Sequence, residues 1–479
     1  MQISELGITV NLLHEILKSD FGNDPTRLIW IIDEVEGRYV HQTGAREVCQ
    51  ALREAAFEPI GAMLVEFLLK GDLSGDIFGE LFITRSNDNF VLVERKSVPR
   101  SLSHMTENIL SAGESAHLLN RIGVHLSGRF SEIIDEMRVK PCKLLDSNFS
   151  TVAIRETRSF LNKELLTAVN QADLLVREIQ LYKKFFFISE SDWYLEFLST
   201  ALLDLEKPVK SINKVRLNDA MKSVSGGKVS IVFHKFPLDQ LWENAVERMS
   251  EDPGTLTVRA LTVIPRSSFP LNVIFTDAIN YKFQSVFRHL FFCKYIESKL
   301  GALWSEFHAL HSLEANESLI ACHFLLQRML HFVKNYLIFL TVDVIESKAW
   351  DRSVGKSVFA VRDDINHKMD SIMEEMAITS PLYKSVNKVL STCGLFSAHM
   401  TRFVQILLSQ SEDRQEQAVA IEQASRQDKY LTLISKFQDA YEGQINSFMV
   451  QLKQQSTPSN SRLITRLDFS QYFSETMGI

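Results

Sequence analysis

The chain has 479 residues, enough for two or three domains of ordinary size, so core volume is not limiting. It carries 52 basic and 59 acidic residues, a net charge of −7, which lacks the surplus of Lys and Arg that nucleic acid requires. Its 19 glycines and 11 prolines are about half the ordinary share of turn residues, so long uninterrupted helices are expected. The N-terminal stretch "MQISELGITVNLLHEILKSD" has no basic leader, and Glu5 and Glu15 interrupt its apolar residues, so a secretory signal is not expected. Further on, "VCQALREAAFEPIGAMLVEFLLKG" (48–71) and "NKELLTAVNQADLLVREIQLYKKFFF" (162–187) repeat apolar residues at three and four, the period of a helix with one buried face.

That texture breaks at 206–230, where Pro208 and the pair Gly226-Gly227 mark loops. A domain boundary is expected somewhat earlier, near 180, giving units 1–180 and 181–479. "TLTVRALTV" (255–263) alternates branched and polar residues and is the one credible strand, expected to form a small β-hairpin in the second unit. From 283 to 313 the helical period returns, with Phe283, Val286, Phe287, Leu290 and Phe291 on one stripe. Residues 411–430 are polar and helix-prone, and "QQSTPSNS" (454–461) reads as a surface loop. The fold class is therefore all-α, in two helical units.

"MLHFVKNYLIFLTVDVIESKAW" (329–350) decides most about function. A spanning helix needs about 20 mostly apolar residues. Here Arg328, His331, Lys334 and Asp343 leave only Asn335 to Val342 uncharged, so no membrane insertion is expected. On helical spacing Met329, Phe332, Val333, Tyr336, Leu337 and Leu340 form a core stripe, while Arg328, His331, Lys334 and Asn335 fall toward another side. Such a polar face is ordinarily just solvated.

Catalytic motifs fail one by one. "VGKS" (354–357) ends like a phosphate-binding loop, but Trp350 stands where the required glycine belongs, and the segment follows a helix. His308, His311 and Glu314 could share a helix face, yet no second cluster completes a metal site. Cys322 and His323 are neighbours whose helical side chains diverge by about 100°. Five widely spaced cysteines suggest neither disulfides nor zinc, and a reducing compartment fits them best. Residues alone point to a helical interaction protein, with no enzyme activity and no cofactor.

The stretch 329–350 resembles a signature of the gamma-tubulin complex proteins, the GRIP-motif subunits, through Met329, Leu330, Phe332, Val333, Asn335, Val342, Asp343, Val344, Ile345, Glu346 and Trp350. Residues 270–304 resemble the opening of the second GRIP motif, with Pro270, Leu271, Phe275, Tyr281, Lys294 and Trp304 in place, and Arg466-Leu467-Asp468-Phe469 resemble its end. Upstream, Gly71, Leu73, Asp76, Glu80, Phe82 and Ile83, then Val98, Pro99, Leu102, Ile109, Leu110 and Gly113, resemble the first motif. Departures are Glu114 for a usual Lys, Ser101 for an aromatic, and Ser191 before Asp192 for a Gly.

The resemblance implies two helical-bundle domains in an elongated arrangement, with a first domain that begins late and is shortened. The first would associate laterally with other subunits, as a hetero-oligomer, and the second would bind gamma-tubulin, so that a ring of subunits templates microtubule nucleation. It implies a place in the cytoplasm at a microtubule-organizing centre, and any guanine nucleotide would belong to gamma-tubulin. Polar signature positions are the candidates for the gamma-tubulin contact: Arg328, Asn335, Asp343, Glu346 and His367, each of which could instead serve as a cap or an internal hydrogen bond. The alternative is a helical scaffold of another assembly, such as a vesicle-tethering complex.

Overall fold

A computed structural model describes residues 2–18, 25–39, 42–86, 89–93, 96–124, 131–169, 174–233, 256–265, 269–310, 317–350, 357–378, 380–409, 429–455 and 457–468. Of the phosphate-loop-like run only Ser357 is among them, and His311, Glu314 and the polar run up to 428 lie outside. The chain forms two compact units, one of Met1–Leu174 with Gly355–Ala360 and one of Leu175–Val354 with Val361–Ile479. Both are mostly helical, as the scarcity of Gly and Pro leads one to expect. Among the described residues no helix is long and apolar enough to cross a membrane.

In the first unit α1 (Gln2–Lys18), α2 (Pro25–Arg38) and the start of α3 (Thr43–Lys70) share a small core of Leu12, Ile16, Ile32, Val35, Ala45 and Cys49. The rest of α3 buries Phe57, Ile60, Leu64, Phe67 and Leu68, the three-and-four spacing of one helix face. That face packs on α4 (Thr106–Ile122), which in turn packs on α6 (Ser147–Val169); α5 (Glu132–Val139) lies beside α6. A short hairpin, β1 (Ile83–Ser86) with β2 (Asn89–Leu92), pairs Ile83 with Leu92, a pairing that the residue pattern does not predict.

Two glycines of the first motif have a physical reason. Gly71 ends α3 with φ +63°, and its N–H returns to the Phe67 carbonyl at 2.8 Å, a left-handed cap that favours glycine. A Cβ there would meet the His117 backbone N at 2.2 Å, and one on Gly113 would meet the Phe67 ring at 2.0 Å. Asp76 of the same motif holds the loop by accepting the N–H groups of Glu80 and Leu81.

The second unit runs through α7 (Leu174–Phe186), α8 (Ser191–Leu205), α9 (Lys214–Ser225), β3 (Val229–Phe233), α10 (Thr257–Ala260), β4 (Leu261–Pro265) and α11 (Asp277–Leu310). The hairpin expected here exists, as β3 antiparallel to β4 in the register Val229 with Pro265. Its second strand starts later than the 255–263 pattern indicates, because Thr257–Ala260 is a helical turn. Thr257 is held there by donating both its N–H and its hydroxyl to the Lys207 carbonyl, at 2.9 and 2.7 Å. Alternation of residue types cannot register a bond to a carbonyl 50 positions away.

Helix α11 is the unit's axis. Its 34 residues make a rod of about 50 Å, and Phe283, Val286, Phe287, Leu290 and Phe291 are all buried. Tyr182 stacks on Phe275 at 4.1 Å and donates to Asn280 Oδ1 at 2.6 Å, so the end of α7 is fixed to the start of α11. Packed on α11 are α12 (Glu317–Ile338) and α14 (Pro381–Ser409); α15 (Lys429–Gln454) packs on both of these, and α16 (Pro458–Leu467) lies against α12 and α15. Between them α13 runs over Val358–Glu375.

A candidate interaction surface on the second unit

Helix α12 does not end where its α-helical pattern does. It passes directly into a π-helical stretch, Phe339–Glu346, so the stretch 329–350 holds two helical periods. Met329, Phe332, Val333, Tyr336, Leu337 and Leu340 are all buried, as the α period requires. Within the π stretch the buried pairs are Phe339 with Val344 and Leu340 with Ile345, five apart, the π repeat. Trp350 closes the stretch by donating from its indole N–H to the Ile345 carbonyl at 3.3 Å.

Helix α16 clamps this π-turn. Thr457 caps its N-terminus by accepting the Asn460 N–H at 3.2 Å, with Pro458 in the first turn, an arrangement well suited to starting a helix. Four residues apart on one face, Arg462 and Arg466 reach the π-turn together. Arg466 makes two bonds to the Asp343 carboxylate, from Nε and from Nη2, the second at 2.8 Å. Arg462 donates to the Asp343 main-chain carbonyl at 3.1 Å. The Arg466 guanidinium holds the Asp343 carboxyl below the usual carboxylate range.

Glu375 at the end of α13 completes the clamp. Its Oε2 accepts from Ser459 at 2.9 Å and from Arg462 Nη2 at 3.1 Å, and its Oε1 takes Lys348 and Ser371. Between α12, the π-turn and α16 lies an open groove of about 610 Å³, lined by His331, Asn335, Asp343, Arg462, Thr465 and Arg466.

The five sequence candidates therefore separate. Asn335 and Asp343 line the groove, although Asn335 also donates to the His331 carbonyl one turn back at 2.9 Å. Arg328 is turned inward: Nη1 meets Glu442 Oε1 of α15 at 2.6 Å, and the guanidinium lies 5.9 Å from the Tyr441 ring centroid. Glu346 is exposed and meets Lys183 of α7 at 3.4 Å. His367 is exposed on α13 and outside the groove. Arg462 and Thr465 were not singled out from the sequence; the only signal was the adjacent motif at Arg466.

The exposed face of α12 is also less polar than expected. On helical spacing it runs Ile320, Phe324, Gln327, His331, Lys334, Ile338 and Val342. Ile338 is 41% exposed and Val342 52%, beside Phe324 at 62%. Apolar side chains left in water next to a groove of hydrogen-bond donors have the make-up of a protein interface, where a buried apolar centre is rimmed by polar groups.

Among the described residues no group of His, Cys, Asp and Glu could hold a metal, and His308 instead stacks on Trp304 at 5.4 Å. His289, Cys293 and Tyr336 do meet in the core, with His289 Nε2 2.8 Å from the Tyr336 hydroxyl and 3.9 Å from Cys293 Sγ. Burial pushes the imidazole down to about 3 and the thiol far up, opposite to what activates a cysteine nucleophile. Cys322, also buried, has its thiol raised for the same reason.

A family model described as gamma tubulin complex component C-terminal matches residues 175–473, more than half of the chain and nearly all of the second unit. Gamma-tubulin complex component 2 of Mus musculus is 24% identical over 423 residues, 78% of this chain and 45% of the mouse protein. Spindle pole body component alp4 of Schizosaccharomyces pombe is 20% identical over 515 residues, 88% of this chain and 64% of its own length. Gamma-tubulin complex component 4 of Homo sapiens is 22% identical over 409 residues, 78% of this chain and 58% of the human protein. The chain thus spans about half the length of the curated relatives it matches.

Proposed function

The chain belongs to the gamma-tubulin complex component family, and on that footing we propose that it is a subunit of a gamma-tubulin complex. In this reading the second unit binds gamma-tubulin, and the first associates side by side with other subunits of the same kind. Its place is the cytoskeleton at a microtubule-organizing centre, in keeping with the spindle pole body that names one relative.

The mechanism is templating. Free tubulin subunits lose translational and rotational freedom when the first turn of a polymer assembles, at a cost of several kcal/mol per association. A row of scaffold subunits that already holds gamma-tubulins at a high effective concentration removes much of that cost, and further tubulin adds to a preformed edge. The chain makes and breaks no covalent bond; its work is positioning.

The observation that carries the proposal is that the family match spans the unit bearing the exposed face of α12, its π-turn and the α16 groove. We place gamma-tubulin there, with Ile338 and Val342 as apolar anchors and Asn335 beside them. This is part of a contact only, because a stable interface takes about 20–30 residues on each side. Co-purification of the full chain with gamma-tubulin tests it. The wild type is expected to retain gamma-tubulin, and Ile338→Asp with Val342→Asp is expected to lose it while melting at the same temperature. Retention by that variant at the wild-type level would remove this face from the contact.

A further inference from the structure

Among the described residues the groove beside α12 holds more positive than negative charge, and the one carboxylate among those lining it is already occupied. Asp343 is paired through both oxygens with Arg466. Behind it, Glu375 is shared by Lys348 and Arg462. These five groups therefore sum to three cations against two anions. The excess is carried where a partner can reach it, since the Arg462 side chain is 45% exposed. Arg462 commits Nη1 to the Asp343 carbonyl and Nη2 to Glu375 and Ser459; the guanidinium has five N–H groups in all. Asn335, His331 and the Thr465 hydroxyl add further polar groups to the walls, and exposed Lys334 stands next to Asn335 on α12. A carboxylate entering the groove meets donors and cations, whereas an incoming Lys or Arg meets the exposed side of a guanidinium.

We infer that the partner segment seated in this groove is acidic: an Asp or Glu side chain that pairs with Arg462, next to an apolar residue that covers Ile338 and Val342. The inference rests on the reading that this face holds gamma-tubulin, and it names the chemistry of the gamma-tubulin surface that docks there. The clamp gives the site its stiffness, because the same two arginines that would face the partner are fixed by Asp343 and Glu375. A partner carboxylate therefore finds its donors already ordered, with little entropy left to lose.

Charge can be tested apart from shape at Thr465, an exposed groove residue whose hydroxyl bonds within its own helix, to the Ser461 carbonyl at 3.0 Å. Thr465→Glu puts a carboxylate on the groove wall, and Thr465→Gln adds the same bulk without charge. Binding of the purified full chain to purified gamma-tubulin is measured for both variants and the wild type, at about 50 and about 200 mM salt, a range over which screening grows strongly. The expected result is wild-type binding that weakens several-fold with salt, and Thr465→Glu that binds about tenfold or more weaker than Thr465→Gln. If the wild type binds and the two variants match each other, the acidic partner is excluded while the proposed function stands. If the wild type fails to bind at all, both fall together. If Thr465→Glu instead abolishes self-association and spares gamma-tubulin, the groove belongs to a second copy of this chain and the inference is overturned.

Discussion

Asp343 and Arg466 stand 123 positions apart and form a two-bonded ion pair, with Arg466 Nη2 2.8 Å from Asp343 Oδ1. The pair joins two segments that the family signature treats separately, the π-turn after α12 and the end of α16. A bidentate pair of this kind, partly shielded from water, is stronger than an ordinary surface pair. Replacing Arg466 by Ala should lower stability by about 1–3 kcal/mol, read as a drop in the urea midpoint. It should also raise hydrogen exchange at Phe339–Glu346, since the π repeat loses its anchor. Unchanged exchange there would mean that packing alone holds the π-turn.

The same pair sets an acid limb. Because Asp343 is held below its ordinary value by Arg466, its contribution is complete above about pH 4 and is lost as pH falls through the lower folded value. Asp343→Asn should therefore cost stability at neutral pH and narrow the gap to wild type as the solution is acidified toward pH 3.

His289 adds a pH dependence of different origin. Fully buried and pushed down to about 3, it stays neutral in the fold while the unfolded chain takes up a proton below about 6.5. Stability should therefore fall as pH drops from about 6.5 toward 3, by up to about 1.4 kcal/mol per pH unit from this group. His289→Gln, which cannot take the proton, should be less stable at pH 7 and should show a shallower slope over that range in urea titrations.

Much of this fold is legible in the sequence because helix periodicity is a local property. The stripe of Met329, Phe332, Val333, Tyr336, Leu337 and Leu340 is buried, and so is that of α11, for the reason each was assigned. What escaped depends on partners far along the chain. Arg328 looked like a surface cation, since nothing near it reveals Glu442, 114 positions on. Thr257 reads as strand in the sequence, whereas its bonds to Lys207 hold it as the first residue of a helical turn. The groove escaped for the same reason, with Asn335 and Asp343 on one segment and Arg462, Thr465 and Arg466 on another. The apolar residues Ile338 and Val342 follow the α spacing of His331 and Lys334, so their place on that face was legible; that they stay uncovered there was not, because burial depends on what packs against a face.

Arg328 and the first-unit glycines give stability tests without an interaction readout. Arg328→Ala removes the Glu442 pair and the contact with Tyr441, and is expected to cost about 1–2 kcal/mol while leaving the exposed face of α12 unaltered. Gly113→Ala forces a Cβ against the Phe67 ring, so it should cost about 1–3 kcal/mol. Gly123→Ala carries only the strain of φ +81° in open space and should cost about 1 kcal/mol. Thermal melts rank the three, and a Gly123 variant as damaging as the Gly113 one would contradict the packing account.

Site-specific crosslinking tests most directly whether the α12 face receives gamma-tubulin. A photoreactive phenylalanine is placed at Val342, and in a second sample at Leu203, which is also strongly exposed but on α8; each full chain is illuminated with purified gamma-tubulin. A covalent adduct from position 342 and none from 203 is the predicted result. An adduct from 203 alone, or none from 342 while gamma-tubulin still co-elutes with the chain, would contradict the assignment of this face.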